Sequence, residues 1–395
     1  MDALTELLRL PENDKVSRGL LHTPAEIAQQ PDSWLTTFRV VRSKQAEIAE
    51  FLSQAGLRDD FKTRPTVFLI GAGTSDYIGQ SLAPLLRKCW ACDVSAVPST
   101  DLLTHMDSLV VADKKYLWIS FSRSGESPEG VAVLEQARKL RPDIQHLIVS
   151  CNVNGRMIRD NRNDPNVLGI CLDDSVNDRG LAMTSSFSNM LIAGQCLAHE
   201  NELSEYHNVL LHMVQAARDF LPRAADCAAA LSEQGYTKAF FVGSGALRAV
   251  AKECALKLLE LTAGKVLTMS ESVLGLRHGP MAALDQDSLF VCFQSSDRRV
   301  RKYERDLLDE ITRKHLVKSS VTVGTSERSN AESPAEHYLR LTSPIEITED
   351  YRPPIDVIFG QLLGLFFSLK WGLRPDCPSP NGAISRVVHD FKIHS

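Results

Sequence analysis

Thr66-Val67-Phe68-Leu69-Ile70-Gly71-Ala72-Gly73-Thr74-Ser75 is a short β-branched and aromatic run that breaks into Gly-x-Gly and continues into small residues. A buried parallel strand feeding a glycine turn and a helix reads this way. The pattern returns at Lys238-Ala239-Phe240-Phe241-Val242-Gly243-Ser244-Gly245-Ala246-Leu247. Further strand runs fit at Leu117–Phe121, His146–Ser150, Leu289–Gln294 and Val321–Val323, with helical patterns between them. The chain therefore reads as α/β: two tandem doubly wound, mostly parallel sheets, each an α-β-α sandwich. The blocks expected are an N-terminal helical arm over 1–40, α/β units over 41–220 and 221–373, and an extended tail over 374–395. In the arm, Thr23-Pro24-Ala25-Glu26 predicts a helix start with Thr23 as N-cap and Glu26 as reciprocal cap. The tail opens Arg374-Pro375-Asp376-Cys377-Pro378, too rich in breakers for a helix.

Composition narrows the function classes. The 395 residues are 44% hydrophobic and 24% charged, with net charge −5. No long basic block appears, so nucleic acid is not expected as a partner. No apolar stretch approaches the roughly 20 residues of a membrane helix. The opening Met1-Asp2-Ala3-Leu4-Thr5-Glu6 carries no secretory pattern. Nine scattered cysteines, with Cys89 and Cys92 as the only CxxC, read as reduced thiols in a cytoplasm.

The loop Ser122-Arg123-Ser124-Gly125-Glu126-Ser127 follows a strand and runs into Pro128-Glu129-Gly130-Val131. Backbone N–H groups at a helix start lack partners, and the helix dipole favours an anion there. Serine hydroxyls add donors and Arg123 adds a charged fork. One serine alone would be a plain helix cap. Three on one loop point to phosphate. Thr74 and Ser75 are expected to face the same phosphate from the neighbouring strand. The lysine-bearing P-loop pattern is absent, and Gly71-Ala72-Gly73-Thr74-Ser75-Asp76 lacks the third glycine of a dinucleotide fingerprint. The corresponding loop of the second unit, Gln294-Ser295-Ser296-Asp297, lacks the Ser-Gly-Glu-Ser pattern, so one competent phosphate site per chain is expected.

Glu253, Lys257 and Glu260 stand at i, i+4 and i+7 of a helix over Leu247–Leu261 that is otherwise apolar almost all round. The spacing fits an exposed salt-bridge stripe, or a polar cleft wall in which burial tunes a carboxylate toward base catalysis. His278, in Gly275-Leu276-Arg277-His278-Gly279-Pro280, sits between breakers on a loop not expected to be helical. No metal-ligand spacing surrounds it, and no metal or cofactor is expected. Ser185 and Ser186 have no triad context.

Gly73-Thr74-Ser75, the serine loop, Glu253-x-x-x-Lys257-x-x-Glu260 and His278-Gly279-Pro280, in this order, resemble the sugar isomerase (SIS) family. The likeness includes the isomerase half of glucosamine-6-phosphate synthase. It is closer to the tagatose-6-phosphate ketose/aldose isomerase type, also described as galactosamine-6-phosphate deaminase/isomerase. The closer likeness rests on Thr23-x-x-Glu26-Ile27-x-x-Gln30-Pro31, Asp178-Arg179-Gly180-x-Ala182-Met183-Thr184-Ser185-Ser186, Glu260-Leu261-Thr262-Ala263-Gly264-Lys265 and Arg386-Val387-Val388.

The resemblance implies that Ser75, Ser122, Ser124 and Ser127 hold a 6-phosphate. It implies that Glu260 moves a proton between sugar carbons 1 and 2, and that His278 opens the ring, reaching the site from a partner subunit. Lys257 and Glu253 match polar residues around the reacting carbons, and Leu181, Met183 and Thr184 match a substrate wall. At least a homodimer is implied. Arg123 stands where the synthase has glutamine, and Arg386 where its tail carries an imine-forming lysine, a reaction a guanidinium does not undergo under ordinary conditions. The chain opens without the synthase's glutaminase, so the reverse, ammonia-releasing direction is expected. A plain hexose-phosphate isomerase uses the same residues. A sugar-phosphate-sensing regulator is the third reading, disfavoured by the retained Glu260 and His278.

Overall fold

The computed structural model describes residues 1–326, 335–386 and 392–394. Its strands form two five-stranded parallel sheets. The first contains β1 (Thr66–Gly71), β2 (Val94–Pro98), β3 (Tyr116–Ser122), β4 (Gln145–Ser150) and β5 (Val167–Cys171), in the order β2-β1-β3-β4-β5. The second contains β6 (Lys238–Gly243), β7 (Leu267–Ser272), β8 (Ser288–Phe293), β9 (Ser319–Gly324) and β10 (His337–Arg340), in the order β10-β9-β8-β6-β7. Read from the β7 edge, the second order repeats the first strand for strand. Six helices bear on the site: α1 (Thr23–Ala28), α2 (Thr74–Trp90), α3 (Pro128–Leu140), α4 (Ala246–Leu261), α5 (Arg298–Arg313) and α6 (Pro353–Lys370).

The chain divides into two compact units, and neither is contiguous. One comprises 32–177, 185–208 and 384–395 and holds the first sheet. The other comprises 1–31, 178–184 and 209–383 and holds the second. They interleave where the sequence reads as serial blocks.

In the first unit, β3 is buried along its whole length, as its unbroken apolar run requires. Phe68, Ile70, Tyr116 and Trp118 pack with Val133 and Ala137 of α3. The two-residue period turns Leu69 to the opposite face, against Gly79 of α2. In the second unit, Phe240, Val242, Phe290 and Cys292 pack with Leu307, Leu308 and Ile311 of α5. On α6, Gly360 gives Cys254 of α4 close approach; a Cβ there would overlap the cysteine side chain.

Both Gly-x-Gly turns have the same backbone. Gly73 has φ 54° and ψ −122°, and Gly245 has φ 57° and ψ −129°, a conformation L side chains rarely adopt. The first glycine of each pair is fixed by space instead. A Cβ on Gly243 would fall on the Leu247 carbonyl, and one on Gly71 on the Ser75 carbonyl. Backbone cannot swing aside as a side chain can, so Gly243→Ala is expected to destabilise by about 3 kcal/mol. An unchanged urea midpoint would contradict this.

The helix start in the arm differs in detail from the sequence pattern. Helix α1 begins at Thr23 itself, with His22 as N-cap and no side-chain cap bond. The orphan donors are taken by the tail: the Asp376 carboxylate accepts from the N–H groups of Leu21, His22 and Thr23, and from Thr23 Oγ1 at 2.8 Å. Glu26 does not cap back. Its carboxylate accepts from the N–H groups of Arg179 and Gly180. No helix among the described residues is long and apolar enough to cross a membrane.

Candidate active site

The first unit builds the serine loop at the C-terminal end of β3. Ser122 Oγ accepts from the Gly125 N–H at 3.1 Å, and Ser124 Oγ accepts from the Glu126 N–H at 3.2 Å. Both hydroxyls keep their own hydrogens to donate to an anion. Gly125 turns at φ 62°. Ser127 is the N-cap of α3 without a side-chain cap bond, and its Oγ lies over Gly130, where a Cβ would stand 2.6 Å from it. The loop backbone is braced from β4: Cys151 N–H donates to Arg123 O at 3.2 Å, and Asn152 Nδ2 donates to Ser124 O at 2.9 Å. Thr74 and Ser75 lie in the first turn of α2, both buried. Hydroxyl donors and a helix N-terminus at one sheet edge suit an oxyanion.

Arg123 is 7% exposed, and its Nη2 donates to the Arg386 carbonyl at 2.5 Å. Arg386 Nη2 in turn donates to Asn177 Oδ1 at 2.7 Å. The two arginines that depart from the synthase pattern are thus joined, and the Arg123 fork ties the tail to the loop. Val387 and Val388 lie outside the described residues.

The second unit holds the carboxylate helix. Glu253 and Lys257 are buried, with side chains 0% and 1% exposed, and Glu260 is 19% exposed. Lys257 Nζ stands 2.6 Å from Glu260 Oε2 and 3.5 Å from Glu253 Oε1. This burial rules out the exposed salt-bridge stripe. Lys257 neutralises a buried carboxylate on one side and orients the accessible one on the other. His278 is exposed. It closes a 3-10 turn over Gly275–His278, a correction to the non-helical reading: Gly279, at φ 130°, ends the turn after its single winding.

Leu181, Met183 and Thr184 lie on a segment, 178–184, that packs within this second unit. Thr184 donates through its N–H and Oγ1 to Asp178 at 2.9 and 3.0 Å, and Gln361 Nε2 donates to its carbonyl at 3.2 Å. Leu181 N–H donates to the Asp376 carbonyl at 3.0 Å. Thr184 and Leu181 are buried and Met183 is half-buried. The Glu26 carboxylate and the Asp376 main-chain carbonyl hold this segment, roles that sequence reasoning did not assign to them. The joint presence of the Thr23–Pro31 and Asp178–Ser186 motifs was the signal available.

Burial, together with the nearby Asp178, raises the Glu26 carboxyl to about 7. The folded pKa lies above the ordinary 4.5, so the stability this group contributes is present below the ordinary value. It is lost as pH rises through about 7. Glu26→Gln removes that loss. Its stability relative to wild type is expected to rise by on the order of 2 kcal/mol between pH 5 and pH 8. Glu304, also raised to about 7 by burial, acts equally in both proteins. Parallel pH profiles of melting temperature would refute the assignment.

The repeated parallel sheets with a serine loop at one edge define a SIS protein, and the SIS domain family model matches residues 61–200. AgaS of Streptomyces coelicolor is 36% identical over 96% of this chain and 97% of its own. The D-galactosamine-6-phosphate deaminase AgaS of Escherichia coli O157:H7 is 32% identical over 94% and 95%. Among solved structures, tagatose-6-phosphate ketose/aldose isomerase from Escherichia coli has a TM-score of 0.85 at 30% identity, covering 94% of this chain and 96% of that one. The chain belongs to the SIS family, in the branch that holds these AgaS relatives.

Proposed function

We propose that the chain deaminates and isomerises galactosamine 6-phosphate to tagatose 6-phosphate and ammonia. The AgaS relatives, similar over nearly their whole length, support the substrate class. The observation that carries the chemistry is Glu260, an accessible carboxylate hydrogen-bonded to a buried lysine.

In this reading Ser75, Ser122, Ser124 and Ser127 hold the 6-phosphate, with Thr74 beside them. Binding at this remote group fixes the sugar and supplies orientation. His278 assists ring opening to the free aldehyde. Glu260 takes the proton from carbon 2, giving the enolamine, and returns it to carbon 1. The product is a ketimine at carbon 2. Water adds to it, and ammonia leaves to give the ketose. Lys257 keeps Glu260 oriented, and Glu253 balances the lysine charge. Arg123 and Arg386 keep the tail on the serine loop. Met183 is the half-buried member of the substrate wall, backed by Leu181 and Thr184.

A plain aldose–ketose isomerase uses the same groups, and the likeness to the Escherichia coli tagatose-6-phosphate ketose/aldose isomerase favours it. Product analysis separates the two. Ammonia release from galactosamine 6-phosphate and glucosamine 6-phosphate is measured side by side, with the ketose identified. Ammonia from the galacto sugar is the expected result. No ammonia from either, with interconversion of hexose phosphates, would leave the plain isomerase.

His278 is exposed and, in the family resemblance, serves a neighbouring subunit, so the active form is at least a homodimer. Sedimentation of the purified chain tests this. The nine cysteines, read as reduced thiols, support a cytoplasmic setting.

A further inference from the structure

The strand order that repeats between the sheets gives β3 and β8 the same central place. Each ends in a hydroxyl-bearing loop, and each loop runs into a long helix. After β3 the loop is Ser122–Ser127; after β8 it is Gln294-Ser295-Ser296-Asp297, leading into α5. The difference lies in what is seated on the loop.

At Ser295–Ser296 a carboxylate of the same chain, Glu349, is already in place. Ser295 Oγ donates to its Oε1 and Ser296 Oγ to its Oε2, while the Ser296 N–H donates to Oε1 at 2.5 Å. These hydrogen bonds hold the Glu349 carboxyl below its ordinary value, against the opposing effect of its burial. Two hydroxyls and a backbone N–H around two oxygens form the donor set that two oxygens of a phosphate would use.

The surroundings point the same way. Arg298, Arg301 and Lys302 stand in the first turns of α5, at the positive end of the helix dipole, where cations are unfavourable unless an anion answers them. A cavity of about 390 Å³ opens beside the loop, lined by Ser296, Arg298, Arg301, Ser326 and Arg340 among others. Arg301 Nη1 donates to the Ser295 and Ser296 carbonyls at 3.2 and 2.7 Å, which fixes the loop. Three acidic groups lie close as well, of which Glu346 lines the cavity itself. Glu304 accepts from the Ser295 N–H at 3.0 Å, and Asp297 caps α5 by accepting from the Arg299 N–H. The buried Arg352, itself paired with Asp356, donates to the Gln294 carbonyl at 2.7 Å and holds the start of the loop.

We propose that the Ser295–Ser296 loop is a second oxyanion cradle, built for a phosphate-class ligand and kept shut by Glu349, whose carboxylate occupies the ligand's place. The chain then holds one phosphate, at Ser122–Ser127, because the repeat of that site carries its own anion. The cradle rests on the repeated fold and on the seated carboxylate, whereas the placing of the chain's one phosphate at Ser122–Ser127 rests on the function proposed above.

The test is Glu349→Ala in the full chain, with sulfate as probe because its charge is constant across neutral pH. Sulfate binding is counted by titration calorimetry at pH 7. Wild type is expected to lack the Ser295–Ser296 equivalent. Glu349→Ala is expected to gain one additional equivalent, and Glu349→Ala/Ser296→Ala to lose it again. The melting temperature of Glu349→Ala should fall in sulfate-free buffer and recover as sulfate is added, by the linkage of binding to folding. A folded Glu349→Ala protein that gains no sulfate overturns the proposal. So does a Ser296-dependent sulfate site in wild type. If Glu349→Ala does not fold without sulfate, refolding from urea decides: recovery that depends on sulfate supports the cradle, and equal failure with and without it overturns it.

Discussion

Glu260→Gln is expected to lower ammonia release from galactosamine 6-phosphate by at least the 10²–10⁴-fold that a positioned acid–base group contributes. The amide keeps the length of the side chain and an oxygen for Lys257 Nζ, now 2.6 Å away. It cannot take a proton from carbon 2. Lys257 still neutralises the buried Glu253, so the core of α4 should hold. Sugar-phosphate binding, measured at equilibrium without turnover, should change little, because the serine loop is untouched. That split identifies a group acting in the transition state and not in ground-state binding. Retained turnover would end the assignment. Loss of binding together with turnover would show that Glu260 supports the fold and not the reaction.

The repeat was legible because each of its marks is local. A continuous apolar run states a strand buried on both faces, as β3 and β8 are. Gly-x-Gly states a turn that only glycine can make, and Gly73 and Gly245 make it identically. The interleaving of the two units was not legible. It depends on Asp376 meeting residues 21–23 across some 350 positions, a bond no periodicity encodes. The Thr-Pro-x-Glu pattern misled for the same reason. A side chain that can cap its own helix can also be used elsewhere, and Glu26 serves residues 179 and 180.

At the site, spacing placed Glu253, Lys257 and Glu260 on one face but left exposed stripe and buried wall open. The apolar remainder of the helix favoured burial, and the structure decides for it. The Ser-Gly-Glu-Ser loop was legible as a donor cluster at a helix start. The bond from Arg123 to Arg386 was not, since an arginine near a serine loop reads first as a phosphate ligand. Glu349 carried no signal at all: a glutamate in Ile347-Thr348-Glu349-Asp350 looks like any loop acid until Ser295 and Ser296 are seen to grip it.

Arg352→Met is expected to cost about 3–5 kcal/mol of stability, the cost of orphaning a buried charge. Arg352 and Asp356 are both 0% exposed. Arg352 binds Asp356 through two nitrogens, at 3.0 and 2.8 Å, and its third donates to the Gln294 carbonyl at 2.7 Å. Burial already raises the Asp356 carboxyl above its ordinary value, even with the guanidinium beside it. Without the arginine the buried carboxylate is left charged and unanswered, with Glu349 adding a like charge, and the carbonyl before the Ser295–Ser296 loop loses its donor. A raised folded pKa means that the protonated form is the one the fold accepts. The variant's deficit should therefore be largest at pH 8 and shrink toward pH 5, as Asp356 takes up a proton. Urea unfolding at both values measures this. Arg352→Met/Asp356→Leu should recover much of the loss, since apolar replacement of both partners removes the orphan. A single variant as stable as wild type would mean that water reaches Asp356. A double variant no better than the single would shift the cost to the Gln294 carbonyl, and so to the Ser295–Ser296 loop that follows it.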